Sequence, residues 1–221
     1  MTKERVFEIM GKYYGNAYYR SAIKLGISEH DLKLTTELLD KINALGYNFS
    51  NMHPLMETED VRFPPLILEY YGKFDALNYQ EGTLSTICFK SYCEFVPQLL
   101  QIYQQSDVLK IRDCASQCIF LINSPKYVDE CLEIVNRPHY GAAHDYLIDY
   151  LCKRCVHKVI PTLLNLLDKY PAVWQWTFLR YVASFKEQSL IMYIEPFLQA
   201  DDSEIRVLAK KAIKKLEPHK E

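Results

Sequence analysis

The chain has 221 residues, 49% hydrophobic and 24% charged, with a formal net charge of −2. That length can bury a sizeable core, and an ordinary apolar fraction with little net charge excludes a disordered chain. Seven glycines and ten prolines are too few for a turn-rich β-sandwich or a glycine-cradled nucleotide site.

At the N-terminus, Met1-Thr2-Lys3-Glu4-Arg5-Val6 lacks the apolar run of a secretion signal. The longest apolar stretches, such as Ile119-Phe120-Leu121-Ile122, are far shorter than a bilayer span. Both point to a cytoplasmic chain with no membrane partner. Residues 1–60 read as an N-terminal helical cap. A shorter helix or two run from about Lys3 to Leu25, and a further helix starts at Ser28-Glu29-His30-Asp31. It carries Leu38, Leu39, Ile42 and Leu45 and stops at Gly46. Asn48 to Asp60, polar and holding Asn51 and Pro54, is expected to be a loop.

From about residue 61 to residue 221 the chain repeats itself every 32 residues. Pro65, Pro97, Asp129 and Pro161 form one column. Leu68, Leu100, Leu132 and Leu164 follow three residues later, preceded by Ile67, Leu99, Cys131 and Leu163. Tyr70, Ile102, Ile134 and Leu166 complete the stripe, and Phe63, Phe95, Tyr127 and Val159 stand before the proline column. The spacing is that of one face of a short amphipathic helix, and proline suits a first turn whose N–H groups have no intrahelical partner. A second helix in each unit carries Thr83, Ala115, Leu147 and Leu179, then Ile87, Ile119, Leu151 and Ala183 four residues on. Gly72-Lys73 and Gln104-Gln105-Ser106 are the expected joints of the first two units. The pattern predicts an all-α chain of about five helix pairs.

Val96-Pro97-Gln98-Leu99-Leu100 with Asp107, Arg112 and Ala115 resembles the HEAT-repeat consensus. Ile160-Pro161-Thr162-Leu163-Leu164 is similar, as is Glu195-Pro196-Phe197-Leu198 with Asp202, Arg206 and Ala209. The third unit departs from the pattern, with Asp129 for proline and Gly141-Ala142-Ala143 where Asp and Arg are expected. The last unit is offset by three residues, as an atypical terminal cap would be. The resemblance implies a right-handed α-solenoid of HEAT-like hairpins whose second helices line a concave face.

Seven cysteines (Cys88, Cys93, Cys114, Cys118, Cys131, Cys152 and Cys155) are expected as free thiols, most of them acting as small core residues. Cys152-Lys153-Arg154-Cys155-Val156-His157, with His144 upstream, brings zinc-ligand types together. A helix turns His157 away from the two cysteines, however, and Cys152 shares a column with Cys88 and Phe120. Buried thiols are the preferred reading, with no metal and no cofactor. The six histidines fall in no nucleophile-elbow or metalloprotease motif, so no catalysis is expected.

The polar columns carry the functional expectation. One reads Glu81, Asp113, Asp145 and Thr177; four residues later come Ser85, Gln117, Asp149 and Tyr181. Tyr146 and Tyr150 lie beside them. With Trp176 from Trp174-Gln175-Trp176, the candidate partner-binding residues are Glu81, Asp113, Gln117, Asp145, Tyr146, Asp149, Tyr150, Trp176 and Tyr181. On HEAT geometry this would be an acidic, tyrosine-bearing groove suited to a basic protein, and 17 tyrosines exceed what such a core can bury. The expected function is a non-catalytic protein-binding solenoid, most concretely an immunity or antitoxin-type inhibitor of a basic, nuclease-like toxin. An ordinary solvated helix face is the simpler alternative.

Two other classes stay open. Some HEAT-like proteins repair alkylated DNA through exposed aromatics and a carboxylate on a basic face, here Trp176, Tyr181 and Asp168. Net charge speaks against nucleic acid: it is −3 over residues 1–95 and again over 96–205, and +4 only over 206–221. A scaffold or accessory subunit of a modification enzyme is the third reading.

Overall fold

The computed structural model describes residues 28–137, 140 and 145–217. The helices expected between Lys3 and Leu25, the Gly141-Ala142-Ala143 stretch and His144 lie outside them. The only regular structure among the described residues is helical, eleven α-helices and short 3₁₀ segments, with no strand. The chain divides into two compact units, Met1–Ile122 and Asn123–Glu221.

The first unit holds α1 (Glu29–Asn43), α2 (Phe63–Tyr70), α3 (Leu77–Leu84), α4 (Val96–Gln105) and α5 (Leu109–Ile122). The second holds α6 (Val128–Val135), α7 (Tyr146–Lys153), α8 (Ile160–Lys169), α9 (Pro171–Tyr181), α10 (Ile191–Ile194) and α11 (Ser203–Leu216). Helix starts recur at the sequence period: Val96, Val128 and Ile160 are 32 residues apart, and so are Pro171 and Ser203. In the first unit α2 packs on α3, α4 on α5, and α3 on α5. In the second α6 packs on α7, α8 on α9 and α10 on α11, while α9 touches both α7 and α11.

Local chemistry accounts for the helix ends. Ser28 caps α1, its hydroxyl accepting from the Asp31 N–H at 3.0 Å. Gly46 then takes a φ of 104°, a left-handed conformation in which a side chain would be strained. Residues 48–60 are irregular apart from a 3₁₀ turn at His53–Met56. Prolines occupy the first turns of α2, α4 and α8, and Asp129 opens α6, where a carboxylate suits the helix dipole. The first helix of the last pair is broken: Glu195–Gln199 is a 3₁₀ segment after the four-residue α10. Pro196 has no N–H to continue an α-helical ladder there.

Two of the repeat columns are wholly interior, while Leu68, Phe95, Ile102, Leu164 and Ala183 of the others are half-buried. Ile67, Leu99, Cys131 and Leu163 are each at most 1% exposed, while Pro65, Pro97, Asp129 and Pro161 face solvent. Thr83, Ala115, Leu147 and Leu179 are buried as well. Burying such side chains contributes roughly 1.5–3 kcal/mol each for the larger ones, which is why short helices hold here when they would melt alone.

Polar clamps close each unit. In the first, the buried Asp31 carboxylate accepts from the Asp75 and Ala76 N–H groups at 2.7 and 3.0 Å, fixing the entry to α3. Asp60 accepts a forked pair of bonds from Arg62 and one at 2.7 Å from the Tyr47 hydroxyl, and donates its own N–H to Tyr92. In the second, Arg154 donates to the Asn123 carbonyl at 2.7 Å, and Arg206 to those of Ala200 and Asp201. Asp202 caps α11, accepting from the Glu204 N–H at 2.7 Å.

Candidate functional site

The candidate residues divide between the units. In the first, α3 and α5 are knitted by the Cys114 and Cys118 thiols, which donate to the Glu81 and Leu84 carbonyls. Glu81 is half-buried and its carboxylate is paired with Lys110 at 2.8 Å. Asp113 and Gln117, on the face of α5 away from Ala115 and Ile119, are partly exposed.

In the second unit three of the expected surface residues are interior. Asp145 is 7% exposed because it caps α7, accepting from the Leu147 N–H at 2.9 Å and from the Tyr140 hydroxyl. Asp149 is 2% exposed and faces α9, accepting from the Thr177 hydroxyl at 3.3 Å, with the Arg180 guanidinium at 4.0 Å. Tyr150 is buried and donates to the Ser124 carbonyl. All three polar groups are therefore occupied within the unit. The physical reason is that α7 lies between α6 and α9, so its polar column meets a neighbouring helix rather than water. Tyr146, Trp176 and Tyr181 stay half-buried. Burial, and next the Asp149 charge, push the Tyr181 hydroxyl pKa up, so it is a protonated donor at neutral pH.

The tryptophan pair separates as its spacing implies. Trp174 is wholly buried, whereas Trp176 lines an open depression of about 230 Å³ with Val207 and Leu208 of α11. Ser203 and Glu204 complete its edge. The stripe Ile205, Ala209, Ala212 and Leu216 faces the core, and Val207 falls out of phase with it, 48% exposed. That phase slip was the sequence signal for a second apolar face on α11, and the repeat columns do not contain it.

The cysteine-rich segment diverges. Cys152 is buried at the end of α7, while Cys155 is exposed with a φ of 54°. His157 turns to Glu187, its Nδ1 2.6 Å from the carboxylate. No group of three or more histidine, cysteine, aspartate or glutamate side chains among the described residues is placed to hold a metal ion. Burial raises the thiol pKa of Cys131 to about 12 and pushes that of Cys152 higher still, so both stay protonated and unreactive. No helix among the described residues is long and apolar enough to cross a membrane.

In comparison with known proteins, no family model, no curated protein and no solved structure matches the chain.

Proposed function

We propose that the chain is a non-catalytic protein-binding array of HEAT-like hairpins. The single observation that carries this reading is that three aromatic side chains of the second unit are left half-exposed, one of them at an apolar depression. Tyr146 on α7 and Trp176 and Tyr181 on α9 stand half-exposed on helices that pack side by side, and Trp176 floors an apolar depression. Half-buried aromatics with a polar tip beside an apolar recess are the side chains from which protein interfaces draw most of their energy. Two observations favour the repeat architecture: the 32-residue recurrence of helix starts and the burial of corresponding columns.

The most concrete form of the proposal is an immunity-type inhibitor of a basic toxin. It has less support than the sequence columns imply, since Asp113 and Gln117 on α5 are only partly exposed. Asp145 and Asp149 are engaged inside their unit, and Glu81 is neutralised by Lys110. Partner binding is therefore better sought at Trp176 and its depression than along an acidic ladder.

The test is capture of partners from the source cells on the immobilised full chain, with and without nuclease, comparing the native chain with Trp176→Ala. A stoichiometric protein that survives nuclease and is lost at least about tenfold from the variant is the expected result. Nucleic acid recovered alone, and lost on nuclease treatment, would overturn the proposal in favour of the repair-type reading.

A further inference from the structure

We propose that the α9–α11 depression and the lysines beyond it form a docking surface for a short acidic segment of a partner protein, anchored by one bulky apolar side chain. This rests on the protein-binding reading above and names the surface and the chemistry of its occupant.

The recess supplies the anchor. Trp176, Val207 and Leu208 form an apolar lining open to solvent, and its volume of about 230 Å³ is that of a large side chain. Pockets that enclose whole small molecules are larger, roughly 300–1,000 Å³. Val207 is 48% exposed in the middle of a 14-residue helix and adjoins Trp176 and Leu208 rather than standing alone on the surface.

Charge supplies the direction and the class of partner. Beyond Val207 on the same side of α11 stand Lys210, Lys211, Lys214 and Lys215, all exposed. None of the four makes an ion pair among the described residues. Lys214 and Lys215 lie in the last turn, where cations suit the helix dipole, but Lys210 and Lys211 lie further back, where that effect has faded. Lys210 and Lys214, and Lys211 and Lys215, are also like-charge pairs at i,i+4, which oppose the helix they sit on. An anionic partner relieves this repulsion. At 1.5 Å per residue, Lys211 is about 6 Å and Lys215 about 12 Å along the axis from Val207. Carboxylates two to four residues from the anchor of an extended segment reach that distance.

A nucleic-acid strand fits less well, although Trp176 is a stacking platform in principle. Glu204, three residues before Val207 on α11, stands at the edge of the recess, so a phosphate backbone running past the tryptophan in both directions would meet a carboxylate. A segment with its carboxylates on one side of the anchor lies over the lysines alone.

The test uses the full chain and fluorescein-labelled twelve-residue probes: a phenylalanine- and glutamate-containing peptide, the same peptide with lysine for glutamate, and a single-stranded oligothymidylate. Polarisation is read with the native chain, Val207→Asp, and the double variant Lys211→Glu/Lys214→Glu. Both variants change only exposed positions, and circular dichroism verifies their folding. Binding of the acidic peptide that weakens with salt, and about tenfold or more in each variant, is the expected result. Equal binding of the lysine peptide, unchanged affinity in both variants, no binding of the acidic peptide at the highest soluble concentration, or preference for the oligonucleotide would each overturn the proposal. A natural partner captured equally well by both variants would remove this surface while leaving the protein-binding function standing.

Discussion

At the scale of single residues, this protein spends its buried carboxylates on its own backbone. Asp31 and Asp145 accept main-chain N–H groups at a helix entry, as the exposed Asp202 also does, and Asp149 accepts from a hydroxyl on the next helix. A short carboxylate close to the backbone satisfies donors that a helix start would otherwise leave orphaned. Asp60 is the clearest electrostatic case: the Arg62 guanidinium and the Tyr47 hydroxyl hold its carboxyl well below the usual carboxylate range. A carboxylate with a depressed folded-state pKa adds stability that is fully present above its unfolded value, about 4, and is lost as the pH falls toward the folded one. Asp60→Asn is therefore expected to be less stable than the native chain at pH 6.5, with the difference shrinking at pH 3. Urea midpoints at the two pH values measure this; a difference that is constant with pH would show that the ion pair contributes nothing.

At the scale of helices, burial rather than intrinsic propensity holds the elements. Seven of the eleven described helices have ten residues or fewer, below the length at which an isolated helix is stable in water. Four of them, α2, α4, α6 and α8, pair a wholly buried column residue with a proline or aspartate that faces solvent. Leu99 and Pro97 are two residues apart on α4 and illustrate the contrast. Leu99→Ala removes a side chain with no exposed surface and is expected to cost about 2–5 kcal/mol. Pro97→Ala alters an exposed first-turn position and should change stability by less than about 1 kcal/mol. Thermal or chemical unfolding of the two variants decides; equal costs would mean that the column does not mark the core.

At the scale of the whole molecule, the chain has two compact units, each with its own buried column set. Their interiors protect thiols. Cys114, Cys118, Cys131 and Cys152 are buried, Cys88 and Cys93 are half-buried, and Cys155 is exposed at a left-handed turn. A bulky thiol reagent is thus expected to modify Cys155 first and the four buried thiols only when the chain unfolds, which mass spectrometry at increasing urea resolves. Rapid modification of all seven without denaturant would show that the units open far more readily than their packing implies. The molecule is near neutral overall, yet residues 206–221 carry six Lys and Arg against two Glu. That local surplus, beside an apolar recess, gives the second unit its polarity.

The amino-acid sequence by itself determined that the regular structure of the described residues is helical, where the first helix of most pairs begins, and that the Ile67–Leu99–Cys131–Leu163 column is buried. These depend on 3.6-residue periodicity, on capping side chains and on proline, all of them properties of neighbours along the chain. Ser28 and Gly46 bracket α1 in this way, and the Ile67–Leu99–Cys131–Leu163 column needs only its spacing to be read as core. The tertiary structure alone decided the fate of the polar columns. Asp149 and Tyr181 occupy equivalent repeat positions, yet one is interior and the other half-exposed, because α9 covers α7 at Thr177. The recess at Trp176 exists because α11 approaches α9 with Val207 out of phase with its buried stripe. Exposure at such positions depends on how closely a neighbouring helix packs, and that distance is not a local property of any segment.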